Sequence, residues 1–238
     1  MVPFTPKAIL FDLDGTLLDT LADLTAGVNG MLTELGQPTR SEQEVRRFVG
    51  RGFARLVECS LTEGRPEYIL DEQGLEHASA LFRRHYAQHN GERTYPYPGI
   101  KAVLGQLAAQ DKLLAVVTNK MEAFTLPLLE QLGILQHFSA IVAGDTCNTR
   151  KPSPEMPLLA CEKLGVEPHQ ALMIGDSHHD AQAARSAGIP VLLVSWGYSE
   201  GQPVDQVDCD GVLHSADELF DWVAPEPVRA NVAQYTTA

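Results

Sequence analysis

Ala8-Ile-Leu-Phe-Asp-Leu-Asp-Gly-Thr16 is the stretch on which the reading of the whole chain turns. Its first four residues form an unbroken apolar run, the signature of a strand buried on both faces. Directly after it stand two carboxylates one residue apart, Asp12 and Asp14, and Gly15, which leaves the chain free to turn. Two neighbouring anions repel, and each raises the other's pKa unless a cation sits between them. A buried strand that delivers paired carboxylates at its end places them where open α/β sheets bind their ligands.

The same apolar signature recurs downstream at 113–117, 140–143, 171–174 and 191–194. Helical patterns separate these runs, over 100–110, 122–132, 154–164 and 181–187. Gly133, Gly165 and Gly188 stand where three of those helices should stop. Strand and helix in alternation, with strands buried on both faces, imply a parallel sheet covered by helices on both sides. The fold expected is therefore a doubly wound, Rossmann-like α/β core.

One stretch interrupts the alternation. Between residues 21 and 93 the periodicities are helical (21–35, 42–49, 53–62 and 71–90), with no convincing buried strand. Nine of the chain's twelve arginines fall there and none of its six lysines. An all-helical insert after the first strand follows, giving a core of residues 1–19 and 94–223, an insert of 20–93 and a loosely ordered tail of 224–238. Asp19 and Thr20 on one linker, and Tyr95-Pro-Tyr-Pro98 on the other, are the hinge candidates.

Composition narrows the partners. The chain has 238 residues and a formal net charge of −13. Nucleic acids and anionic membranes need clustered positive charge, so neither is expected. No apolar run approaches the roughly 18 residues that span a bilayer, and the first residues do not read as a signal peptide. Cys59, Cys147, Cys161 and Cys209 are scattered, with no paired spacing, so they read as reduced thiols and the cytoplasm as the compartment.

Three further motifs follow strand ends. Val117-Thr-Asn-Lys120 supplies a hydroxyl and backbone N–H groups. Arg150-Lys-Pro-Ser-Pro154 supplies a lysine. Ile174-Gly-Asp-Ser-His-His-Asp180 adds two carboxylates four residues apart. The oxygens suit a hard divalent ion, and Mg2+ takes few protein carboxylates beside water and substrate phosphate. A carboxylate can attack an anionic phosphoryl group once a metal and a cation screen its charge.

All four motifs, in this order and each at a strand end, resemble the haloacid dehalogenase superfamily, specifically its phosphatases with a helical cap after the first motif. The resemblance covers nearly the whole chain. It implies Asp12 as nucleophile and Asp14 as the acid that protonates the leaving oxygen and then activates water. It implies Thr118 and the backbone N–H of Asn119 as phosphate holders and Lys151 as the charge balance. Mg2+ would lie between the Asp12 and Asp176 side chains and the Asp14 carbonyl. Asp180 would orient Lys151 or the metal water, and could also cap the next helix. His178 and His179 depart from the family pattern. Adjacent side chains point apart and histidine is a poor Mg2+ ligand, so a solvated loop is expected there.

Cap segment Val49-Gly-Arg-Gly-Phe-Ala-Arg-Leu56 would set the substrate. A Gly-x-Gly turn opening a helix presents N–H groups to an anion, and Arg51 or Arg55 could grip a carboxylate in bidentate fashion. Together with Gly50 and with Thr118-Asn-Lys120, this segment resembles the bacterial phosphoglycolate phosphatase branch and implies 2-phosphoglycolate as substrate. A sugar-phosphate or amino-sugar-phosphate phosphatase, and a hexose phosphomutase, stay open. A cap of this size covers a small metabolite without a partner subunit, so a monomer is favoured.

Overall fold

The computed structural model describes residues 4–65 and 68–224. Strand β1 (Ala8–Phe11) leads into a two-residue strand, β2 (Leu18–Asp19). Four helices follow: α1 (Leu21–Glu34), α2 (Glu42–Arg46), α3 (Phe53–Thr62) and α4 (Glu72–His89). Strand β3 (Tyr95–Pro96) then pairs antiparallel with β2, bringing the two ends of the helical unit together. From there the chain alternates through α5 (Ile100–Ala109), β4 (Leu113–Val117), α6 (Glu122–Gln131), β5 (Ala140–Val142), α7 (Glu155–Leu164) and β6 (Ala171–Gly175). It ends through α8 (His178–Ser186), β7 (Val191–Val194), β8 (Gly211–Leu213) and α9 (Leu219–Trp222).

The large sheet is parallel throughout, in the order β5-β4-β1-β6-β7-β8. Strand β1 lies in its interior, and the direction of travel across the sheet reverses on either side of it. This is the switch point at which an open α/β sheet leaves a crevice at its carboxyl edge. Side chains alternate across the sheet as the pleat requires. Ile9 and Phe11 face one core with Ile100, Leu104 and Leu128, while Ala8 and Leu10 face the other with Met156, Ala160 and Ala184. Both faces being covered explains why β1 reads as continuous apolar sequence.

The helical unit has its own core, built from α1, α3 and α4. Gly27 and Gly30 let α1 approach α4 closely: a Cβ at Gly27 would lie 3.0 Å from the Cβ of Tyr86, and one at Gly30 would meet the His85 ring. Phe53 packs edge-on to Phe82 and Tyr86, with centroids 4.9 and 5.3 Å away. Phe124, from α6 of the sheet unit, joins that cluster at 5.1 Å from Tyr86.

The linkers are held by Asp23, a fully buried carboxylate in the first turn of α1. It accepts the backbone N–H groups of Gly91 (3.1 Å) and Arg93 (3.0 Å) and the Thr94 hydroxyl (2.6 Å). On the opposite side, the phenol of Tyr198 accepts the Thr20 N–H (2.7 Å) and donates to Asp19 (2.9 Å).

Two sequence expectations change here. The helix expected over 181–187 begins at His178, because Ser177 and Asp180 form a capping box. The two histidines are therefore in a first helical turn and not in a solvated loop, with His179 buried. Their rings lie 3.8 Å apart and do not point away from one another. All four cysteines are free thiols. No described helix is long and apolar enough to cross a membrane. Beyond Ala224, the expected tail lies outside the described residues.

Candidate active site

Asp12 is the first residue past β1, its N–H donating to the Ile174 carbonyl (2.9 Å) and so keeping the sheet register one step further. The chain then turns tightly, with Leu13 accepting the N–H groups of Thr16, Leu17 and Leu18. Gly15 has φ +92°, and a Cβ there would run into the Asp176 carboxylate and the Tyr198 ring. Glycine is required at that position for both reasons.

Lys151 anchors the floor. Its buried ammonium donates to Asp12 Oδ1, Asp180 Oδ1 and the Val117 carbonyl, each at 2.7 Å, so all three protons are engaged. The second oxygen of Asp180 accepts from the Ser177 hydroxyl (2.7 Å) and N–H (3.1 Å), the helix cap noted above. Asp180 therefore performs two jobs: it starts α8 and it holds Lys151. Asp176 Oδ2 accepts the N–H groups of Tyr198 (2.6 Å) and Ser199 (3.2 Å).

Thr118 and Asn119 end β4. The Thr118 hydroxyl accepts the Lys120 N–H (3.2 Å), shaping the turn. Asn119 uses its side chain as a clamp: the amide donates to the carbonyls of Lys151 (3.0 Å) and Gly50 (2.9 Å), and its oxygen accepts the Lys151 N–H (2.9 Å). The Gly50 bond crosses from the sheet unit to the helical unit.

Electrostatics at the floor are those of an anion-rich, buried site. Burial, with Lys151 opposing and Asp180 assisting, pushes Asp12 up to about 7 from 3.8. Burial and the neighbouring Asp180 and Asp12 drive Asp176 well above its usual range. Burial alone would lower Lys151, but Asp12 and Asp180 outweigh it and raise it. Oxygens of Asp12, Asp176 and Asp180 lie within 4.8 Å of one another. Three carboxylates thus face a single ammonium, an excess of negative charge that a divalent cation would cancel. The donors are all oxygen, as a hard ion requires. Asp180 is committed to Lys151 and Ser177, leaving Asp12 and Asp176 as the side chains to hold the ion. The Asp14 carboxylate is drawn elsewhere, to the Lys120 ammonium at 3.0 Å.

Above the floor lies a cavity of about 30 Å³. Asp12, Asp14, Thr118, Asn119 and Lys120 form one side, while Leu24, Val49, Gly50, Gly52, Phe53 and Leu56 close the other. The two arginines expected there do not line it. Arg55 is exposed and pairs with Glu58 at 2.8 Å. Helix α3 starts at Phe53, which faces the core, so two residues on, about 200° around the helix, Arg55 faces solvent. Arg51 lines a separate groove beside α8, and its Nε donates to His179 Nε2 at 2.8 Å.

Tyr86 is a residue of this site that the sequence does not single out, while Phe53 belongs to the cap segment expected there. The Tyr86 phenol accepts from Lys120 Nζ at 2.7 Å, and the same ammonium lies 4.7 Å from the Tyr86 ring centroid and 5.5 Å from that of Phe53. Burial lifts the Tyr86 phenol to about 12, so it stays protonated. A lone tyrosine in a helix reads as core, and its need for a polar partner does not say which one it finds.

Residues 9–194 match the family model described as haloacid dehalogenase-like hydrolase. The chain is 44% identical over 217 residues to phosphoglycolate phosphatase from Nitrosospira multiformis, covering 90% of this chain and 93% of the relative. It is 42% identical to phosphoglycolate phosphatase from Thiobacillus denitrificans, covering 91% and 95%. A crystal structure of a predicted phosphoglycolate phosphatase from Haemophilus somnus superposes with a TM-score of 0.86 at 33% identity, covering 93% of this chain and 98% of that one. A parallel sheet with a helical unit over its carboxyl edge, and this acidic floor, belong together in one class of enzyme. The chain is a member of the haloacid dehalogenase-like hydrolase family.

Proposed function

We propose that this protein is a Mg2+-dependent phosphatase that hydrolyses 2-phosphoglycolate through an aspartyl-phosphate intermediate. The observation that carries the reading is the buried Lys151 ammonium, 2.7 Å from both Asp12 and Asp180, with Asp12 in turn lining the cavity under the helical unit. Lys151 opposes the burial that raises Asp12 and draws its carboxylate towards the ionised form that a nucleophile facing a phosphate dianion needs.

An Asp12 oxygen attacks phosphorus as the bond to the glycolate oxygen breaks, and Asp14, entering the step in its acid form, donates its proton to that departing oxygen. Water then attacks phosphorus, giving its proton to Asp14, and the bond to Asp12 breaks to release inorganic phosphate. Thr118 and the Asn119 N–H hold phosphoryl oxygens while Lys151 keeps Asp12 oriented. Mg2+, held by Asp12 and Asp176 with the Asp14 carbonyl, would supply the positive charge that lets two anions meet.

Phe53 and Leu56 close the cavity opposite Asp12 and Thr118, so the helical unit meets whatever extends beyond the phosphate. The substrate carboxylate faces the turn of Gly50 and Gly52 that opens α3, where N–H groups and the helix dipole favour an anion. The relatives named above carry phosphoglycolate phosphatase as their name. Residues 20–93 act as a lid over a core of 1–19 and 94–223, in a cytoplasmic monomer. Phosphate release from 2-phosphoglycolate, beside a panel of sugar phosphates, with Mg2+ and then with chelator, tests the reading. A preference of about tenfold or more in kcat/KM, lost with chelator, is expected. Preference for a sugar phosphate would remove the substrate assignment.

A further inference from the structure

A chain of contacts runs from Asp14 through Lys120 to Tyr86 of the helical unit. Asp14 accepts from Lys120 Nζ at 3.0 and 3.3 Å, and the same nitrogen donates to the Tyr86 hydroxyl at 2.7 Å. Lys120 is fully buried in its side chain and Tyr86 is fully buried as a residue. Lys120 lies on the sheet unit, just past β4, and Tyr86 lies on α4 of the helical unit. Their bond therefore exists only when the two units are docked. The ammonium lies 5.5 Å from the Phe53 ring centroid and 4.7 Å from that of Tyr86, on the side of the cavity that Lys120 shares with Asp14.

We propose that Tyr86 is a positioning residue of the reaction: its hydroxyl fixes the Lys120 ammonium, which in turn sets the Asp14 carboxylate for proton transfer once the lid is closed. Lys120 then serves as the strut of the proton-transfer group and not as a substrate cation. This rests on Asp14 being the proton donor of the proposed reaction. It predicts a defect that depends on how much the leaving group needs a proton.

The test compares two small esters. Glycolate leaves 2-phosphoglycolate as an alkoxide that must be protonated, whereas acetyl phosphate releases acetate, which leaves without a proton. Phosphoenzyme formation in the first turnover, by rapid acid quench, isolates this step from the later hydrolysis. Tyr86→Phe keeps the ring and removes the hydroxyl. It is expected to slow the first turnover with 2-phosphoglycolate by about tenfold or more, and with acetyl phosphate by less than about twofold. Lys120→Met is a second variant with the same expected pattern, should Tyr86→Phe fail to give the wild-type circular dichroism spectrum and melting curve. Equal losses on both esters, or no loss on either, would overturn the proposal while leaving the phosphatase reading intact. Wild-type protein that forms no phosphoenzyme from either ester would overturn both.

Discussion

Asp23→Ala removes the carboxylate that ties the first turn of α1 to the segment returning from α4. Three donors lose their acceptor: the N–H groups of Gly91 and Arg93 and the Thr94 hydroxyl. The site is fully buried, so water does not readily replace the lost oxygens. An orphaned buried donor costs about 1–3 kcal/mol. Relief of the buried charge offsets part of the sum, and a net loss of about 2–4 kcal/mol is expected. For a domain of this size each kcal/mol lowers Tm by about 2–4 °C. Asp71 is the internal control. It also accepts a backbone N–H, that of Gly74 at 2.7 Å, but at an exposed helix start. Asp71→Ala is expected to cost about 1 kcal/mol, the usual value for a lost N-cap. Urea unfolding followed by circular dichroism measures both as shifts in midpoint at constant slope. If Asp23→Ala costs no more than Asp71→Ala, the linker is not held by this carboxylate and the reasoning fails.

Four further outcomes are expected. Because burial raises both Asp12 and Asp176, the metal must displace protons at lower pH; Mg2+ affinity by calorimetry should fall by about tenfold or more per pH unit below 7, and a flat profile would contradict this. The raised value of Asp12 means that, in chelator, the fold loses stability as pH climbs from 3.8 towards about 7, because the unfolded carboxylate ionises first. Arg55→Ala should leave kcat/KM for 2-phosphoglycolate within about twofold, since its guanidinium pairs with Glu58 in solvent and not in the cavity; a tenfold rise in KM would restore the carboxylate grip to this residue. Gly197→Ala should abolish Mg2+ binding, because its Cβ would occupy the space of the Asp176 carboxylate; Mg2+ binding at the wild-type affinity would show that the loop gives way.

What the sequence reveals about this molecule follows the range of its interactions. Strand β1 and the carboxylates after it are legible because one short segment carries both the burial pattern and the chemistry. The same is true of Thr118 and Asp176, each just past an apolar run, whereas Lys151 stands eight residues beyond the run that ends at Ala143. Strands β2 and β3 are not legible: they are two residues each, one contains Pro96, and they exist only because the linkers meet. Strand β8 is a half-buried edge of three residues. Asp23 reads as an ordinary acidic residue near a helix start, since its partners are 68 to 71 residues away. The role expected of Arg55 failed on helical phase, and that of the two histidines on a helix start three residues earlier than the apolar pattern suggests. Tyr86 carries no local sign of its bond to Lys120. Short-range patterns thus outline the core and its carboxyl edge, while the contacts between the helical unit and the core depend on tertiary geometry.

The most direct test of the account is whether phosphate passes through Asp12. Protein mixed with 2-phosphoglycolate labelled in its phosphate, in Mg2+, is quenched in acid within the first turnover and the label located by peptide mapping. The account predicts a hydroxylamine-labile label on Asp12, formed before free phosphate appears and absent from Asp12→Asn. Free phosphate appearing with no label on the protein at any time, or undiminished turnover by Asp12→Asn, would contradict it.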